Sequence, residues 1–156
     1  MTQSEITQYI TATFPGVDVV VASQATGAPE ITWGDSFFFC DPGNELSPDH
    51  RFPFATIVTR DYSDFDCASN LNREGVFRLN FGVSKETFQT LFGADDSGYD
   101  FTALDQIMPH PVYAAQYWIC VLNPSKVTFE KLRLFLAEAY ELAIKRHPKT
   151  RRAEKA

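Results

Sequence analysis

No run of about 18 apolar residues occurs in the 156-residue chain, so no membrane-spanning helix is expected. The N-terminus lacks a charged-then-apolar leader pattern. Cysteine is scarce. Cys40, Cys67 and Cys120 are odd in number, far apart and without a C-x-x-C pair, which excludes a disulfide framework and a zinc signature. Cys40 and Cys120 sit in apolar runs and read as small buried hydrophobes. These features together predict a cytoplasmic protein. The sequence also lacks a phosphate-cradling glycine loop, a G-x-S-x-G elbow and an H-E-x-x-H pair, and no cofactor is expected.

Positive charge is outnumbered in the body of the chain, where residues 1–144 hold 8 Lys and Arg against 19 Asp and Glu. The net charge is −6, yet Lys145, Arg146, Lys149, Arg151, Arg152 and Lys155 outweigh Glu154 by 5, leaving −11 on residues 1–144. Such a body repels phosphates, so nucleic acid is not an expected partner. The basic terminus, residues 147–156, reads as a flexible, solvated tail behind a single domain over residues 1–146.

What is present suits a folded core. Apolar residues make up 44% and charged residues 22%, the balance of a globular domain. The 14 Phe bring large buried area per side chain. Thr2 with Glu5 forms a capping box before Ile6, Tyr9, Ile10 and Phe14, and Pro15-Gly16 ends that helix. Strands are expected at 17–22, 36–40, 54–59, 76–81 and 118–122. In the fourth, Phe77, Leu79 and Phe81 alternate with Val76, Arg78 and Asn80, the period of a strand buried on one face. Ser84 caps a short helix stapled by Val83 and Phe88 and stopped by Gly93. Thr102 to Met108 reads as a further helix, and Pro109 and Pro111 oppose regular structure around His110. A last helix opens at Pro124 or Ser125 and carries Phe129, Leu132, Leu136, Ala139 and Tyr140 on one side. Successive strands without intervening helices predict an α+β two-layer sandwich: an antiparallel sheet of about five strands with helices on one face.

The chemistry-bearing residues are few. His50, His110 and His147 are widely separated. His110, clamped between Pro109 and Pro111, is the best placed to act as acid, base or ligand; the plainer reading is a turn histidine bonded to backbone. Arg78 and Asn80 share the outward face of the fourth strand. Arg presents a planar fork of donors to a carboxylate, and Asn suits an amide. Tyr117, Ile119 and Val121, or in the other register Trp118 and Cys120, would lie beside them. The plainer reading makes these ordinary solvent-side residues. A helix covering Arg78 and a carboxylate paired with it would end the ligand reading. Asp61, Asp64 and Asp66, and Asp95, Asp96 and Asp100, form two acidic loops that lack EF-hand spacing. Cys67, beside the first of them, is a poor nucleophile.

Several blocks resemble a known family. They are Phe52-Pro53-Phe54-Ala55-Thr56-Ile57-Val58-Thr59, Gly75-Val76-Phe77-Arg78-Leu79-Asn80-Phe81-Gly82-Val83-Ser84, Tyr99 to Leu104, and His110-Pro111-Val112-Tyr113-Ala114 on to Pro124. The family is bacterial and uncharacterised (domain of unknown function 6194), and the likeness runs from Phe14 to Arg146, with residues 23–35 as a local expansion. Strand five and the last helix, Tyr117-Trp118-Ile119 through Glu138-Ala139-Tyr140-Glu141-Leu142, are similar to MmcQ/YjbR-like proteins. That resemblance implies a small α+β domain with an antiparallel sheet, compared with the frataxin-like fold and sometimes described as DNA-binding. Neither resemblance implies catalytic residues.

The expected function is that of a small binding or interaction domain, with a small molecule or a protein as partner. Its site is expected on the open sheet face and the 109–116 segment, from Arg78, Asn80, His110, Tyr113, Gln116 and Trp118. Two alternatives stand beside it: an enzyme with His110 as acid/base and Arg78 orienting an anionic substrate, and a frataxin-like acidic metal binder.

Overall fold

Helix α1 (Gln3–Thr13) begins where its capping box closes: Glu5 N donates to Thr2 Oγ1 at 3.1 Å and Thr2 N donates to Glu5 Oε2 at 2.7 Å. This is seen in a computed structural model that describes residues 1–43, 46–47, 51–94 and 97–148. Two more helices follow, α2 (Lys85–Phe92) and α3 (Lys126–Arg146). Their N-caps Ser84 and Ser125 accept from the amides of Thr87 and Thr128. Gly93 ends α2 at φ 71°, a conformation that costs a residue with a Cβ.

The strands are β1 (Val17–Val21), β2 (Ser36–Cys40), β3 (Ala55–Val58), β4 (Arg78–Gly82), β5 (Met108–Pro109) and β6 (Trp118–Leu122). They form one antiparallel sheet in the order β1-β2-β3-β4-β6-β5. The fold is α+β, with the helices packed against one face of the sheet. Ile6 and Ile10 of α1, Phe88 of α2, and Phe129, Leu132, Leu136 and Ala139 of α3 meet Phe38, Ala55, Ile57, Leu79, Phe81, Ile119 and Val121 in a single core. The staple pair Val83 and Phe88 belongs to it.

The expected helix over 102–108 does not form. The Thr102 hydroxyl and amide both donate to Asp100 Oδ1, closing a local turn that competes with a cap. Asp105 then adopts φ 58°, outside the helical region. Its amide bonds Leu122 O at 2.7 Å and its carboxylate accepts from Ser125 N at 2.7 Å, tying the segment to the end of β6. The following Met108 and Pro109 make the sixth strand, at the sheet edge, where a proline costs no ladder bond.

The second face is covered over part of its area, not open throughout. Val58, Leu71, Met108, Cys120 and Leu122 form a smaller core there, covered by Tyr62, Val76, Tyr99 and Phe101 from two long loops. Arg73 joins those loops by donating to Asn70 O, Ser69 O and Thr102 O. The acidic loop is thus a folded strap across the sheet. At the far end of α3, His147 is buried, with Nε2 3.0 Å from Asp41 Oδ1. The structure therefore extends past the expected start of the tail, whose remainder from residue 149 lies outside the described residues.

Candidate functional site

β4 runs through the middle of the sheet, with Leu79 and Phe81 in the helix-side core and Arg78, Asn80 and Gly82 on the other face. The register places Arg78 opposite Leu122, Asn80 opposite Cys120 and Gly82 opposite Trp118. Trp118 and Cys120, not Tyr117, Ile119 and Val121, therefore share the face of Arg78. A cavity of about 710 Å³ opens on this face. All six expected site residues line it: Arg78, Asn80, His110, Tyr113, Gln116 and Trp118. They come from β4, from the turn after β5 and from the start of β6.

Two of those residues are placed differently from the expectation of solvent-facing recognition groups. Arg78 is 0% exposed and its guanidinium is surrounded. Nη1 donates to Asp66 Oδ1 at 3.0 Å and Ser69 Oγ at 2.9 Å; Nη2 donates to Asp66 Oδ2 at 2.5 Å. Nε donates to Asn80 Oδ1 at 2.7 Å. Asn80 in turn donates to Thr56 Oγ1 at 3.0 Å and Arg78 O at 3.3 Å. A bidentate carboxylate thus matches the charge of Arg78, and Asn80 positions it. Arg78 does have a carboxylate partner, one of the two conditions set against a ligand site; but a loop and not a helix brings that partner, and the cavity persists. What is lost is Arg78 as an unmatched cation for an anionic substrate.

The Asp66 strap is anchored from below. Asp35, fully buried, accepts from Thr59 N at 2.8 Å and Thr59 Oγ1 at 2.9 Å, and also from the hydroxyl of Tyr62. Burial raises the Asp35 carboxyl above its ordinary range, and burial beside Asp35 drives the Tyr62 phenol up too, so Tyr62 remains a donor. Asp61 accepts from Leu71 N at 2.8 Å. The carboxylates of Asp61 and Asp66 thus serve the fold. Asp95 and Asp96 of the second acidic loop, and His50, lie outside the described residues. Among the described residues no three His, Cys, Asp or Glu side chains converge as a metal site would require.

His110 is both a turn histidine and a cavity residue. Nδ1 accepts from Val112 N and Tyr113 N, each at 3.0 Å, capping the turn that leads to the 3-10 turn Ala114–Gln116. Pro111, between them, has no amide to satisfy. Nε2 stands 3.3 Å from Nη2 of Arg78. Burial, then the adjacent Arg78 charge, lower its pKa from 6.5 to about 3. His110 is neutral near pH 7.

Aromatic side chains form the walls. Tyr113 packs on His110 at 4.9 Å between ring centroids and against Phe65 at 6.1 Å, and Trp118 stands edge-on to His110 at 6.4 Å. Phe52, Phe65 and Tyr113 are 82%, 60% and 41% exposed, and all three line the cavity. Phe37, Tyr62 and Arg146 also contribute to the lining. None of these but Tyr113 was expected. Phe37 was detectable by alternation, since Phe38 faces the helices and its neighbours must face away. Phe65 and Arg146 reach the cavity through loop and helix-end placement that periodicity does not encode.

The chain matches the model of a family of unknown function (DUF6194) over residues 1–153. It belongs to that family. No curated protein matches it. Within this DUF6194 member the Gly75–Ser84 block supplies β4 and the floor of the cavity, and the block from His110 supplies its wall. No helix among the described residues is long and apolar enough to cross a membrane.

Proposed function

We propose that this DUF6194 domain binds a small, largely apolar molecule in the cavity beneath β4, as a cytoplasmic binding domain and not as an acid/base enzyme. The observation that carries the reading is the cavity itself: about 710 Å³, walled by aromatic rings, with a few fixed polar groups at its floor. Its size falls in the range of small-molecule sites, which combine apolar walls with a few oriented polar atoms. Exposed rings gather at its rim, where unsupported apolar surface costs free energy unless something covers it.

An acid/base role for His110 is the weaker reading. Its Nδ1 lone pair already accepts two amides, and the ring takes up a proton only near pH 3. Efficient acid/base catalysis asks for a pKa near the working pH.

The test is a thermal-shift screen of small aromatic and alicyclic compounds, repeated on Tyr113→Ala. Tyr113 is partly exposed, so this variant is expected to fold. Hits that raise the melting temperature of the wild type and lose most of that shift in the variant support the site. Hits indifferent to Tyr113→Ala, Phe65→Ala and Trp118→Phe alike would place binding elsewhere.

A further inference from the structure

We propose that the ligand of this cavity is an amphipathic monoanion, an apolar body ending in one carboxylate, with Arg146 at the mouth holding that carboxylate. The inference rests on the small-molecule reading above and names the chemistry of what that site takes.

The charges around the cavity single out Arg146. Three charged side chains line it: Asp66, Arg78 and Arg146. Asp66 and Arg78 offset each other through their bidentate pair at the floor. His110 is neutral near pH 7. Arg146 has no hydrogen-bond or ion-pair partner among the described residues. The lining thus carries one uncompensated positive charge.

Contacts on either side fix where that charge stands. Earlier in α3, Tyr140 packs edge-on to Phe54 with ring centroids 6.0 Å apart. Just beyond Arg146, the buried His147 meets Asp41, the residue after β2, at 3.0 Å. The end of α3 is therefore pinned where β2 ends and β3 begins, beside Phe52 and Pro53 of the cavity wall. Carboxylates nearby are engaged: Asp41 with His147, and Asp18 with Arg51 at 2.6 Å. Arg146 itself is exposed, so a ligand entering from water can reach it. The floor continues from this end, because Gly82 N donates to Phe54 O at 3.4 Å. From Gly82 to Arg78 it follows β4 for about 13 Å, room for a two-ring body.

One unmatched cation takes one negative charge. A guanidinium fork fits a planar carboxylate through two parallel bonds. A dianionic phosphate would bring a second charge that nothing in the lining offsets. The acidic body of the chain repels anions in general, but beyond about 8 Å that repulsion is screened at physiological salt. The nearest cation then decides. A carboxylate at the wet mouth also avoids the desolvation cost of the floor, while the apolar body meets the aromatic walls.

Three probes of one shape and different charge separate the possibilities in the intact protein: naphthylacetate, naphthylethanol and naphthylethylamine. By calorimetry at low salt, naphthylacetate is expected to bind about fivefold tighter than naphthylethanol, the upper end for an ion pair exposed to water. The amine is expected to bind weakest. A tenfold rise in sodium chloride should remove most of the acid's advantage and leave the alcohol unchanged. Arg146→Gln, at an exposed helix end, is expected to fold, to lower the acid's affinity about fivefold and to spare the alcohol. Arg146→Lys should keep part of the advantage. Lys145→Gln, next in the chain but outside the lining, should change neither. Equal binding of acid and alcohol, both weakened in Tyr113→Ala, overturns the inference and leaves the small-molecule reading standing. A loss in Lys145→Gln as large as that in Arg146→Gln overturns it too, since the diffuse charge of the terminus would then be the cause. So does acid binding that is indifferent to Tyr113→Ala, which would place the carboxylate outside the cavity. If none of the three binds, the inference falls, and the screen above decides the small-molecule reading by itself.

Discussion

The indole of Trp118 lies across Gly82 so closely that a Cβ at residue 82 would come within 2.9 Å of its Nε1 and 3.3 Å of its Cδ1 and Cε2. The two residues are register partners on β4 and β6. The absent side chain of Gly82 makes room for the Trp118 ring, which forms part of the cavity wall.

Gly82→Ala is accordingly expected to push the indole toward the cavity. The fold has a core elsewhere, so the cost should be about 1–3 kcal/mol, the usual penalty of overpacking. Urea titration measures it, and a shift in tryptophan emission, with Trp33 unaffected, reports the displaced ring. Wild-type emission and ligand response in Gly82→Ala would show that the ring has room to spare.

Asp66→Ala is expected to be far more damaging than its loop position suggests. It leaves Arg78 buried without its counter-charge, a loss of about 3–5 kcal/mol. Replacing both partners, as in Arg78→Met with Asp66→Leu, should recover much of that stability. A cost below about 1 kcal/mol for the single variant would mean that the pair contributes little.

Acid should weaken the protein partly through His110. Its folded pKa, about 3, lies below the ordinary 6.5 of an unfolded chain, so between those values the unfolded state binds the extra proton. Stability is complete above pH 6.5 and falls as the pH drops toward 3. By pH 5 the loss is about 2 kcal/mol on this account. The difference in unfolding free energy between pH 7 and pH 5, measured for wild type and His110→Asn, isolates it; equal differences would remove His110 from the account.

Thiol reactivity should single out one cysteine. Cys67 is exposed, while Cys40 and Cys120 are buried, and burial pushes the Cys120 thiol up to about 12. Under native conditions a chromogenic disulfide is expected to titrate Cys67 quickly and the other two only on unfolding. Rapid modification of Cys120 would show that the face beneath the straps opens readily.

How far the sequence alone reaches depends on the range of the contacts involved. The capping box of Thr2 and Glu5, the Ser84 cap with its Val83–Phe88 staple, and β6 at Trp118–Leu122 are fixed by neighbours a few residues apart, and all are where periodicity and capping rules place them. The alternation around Arg78 correctly gave its face but not its surroundings. Asp66 reaches it from twelve residues away through a loop whose shape depends on Asp35, Tyr62 and Arg73. Thr102 carried a helix-start signal that Asp100 diverts into a turn, which is how the edge strand at Met108–Pro109 was missed. Arg78, Asn80, His110, Tyr113, Gln116 and Trp118 could be grouped from the sequence because β4, the turn after β5 and the start of β6 are neighbours in the sheet order, and they line one cavity; the aromatic rim could not, because loops deliver it.

The strap from Thr59 to Val76 also bears on kinetics. Asp35, Arg78 and Thr102 fasten it from outside and Asp61 braces it within, so the cavity wall is already assembled before any guest arrives. A preorganised receptor forfeits little freedom on association. Chemically similar guests should therefore enter at nearly the same speed and be told apart by how long they stay.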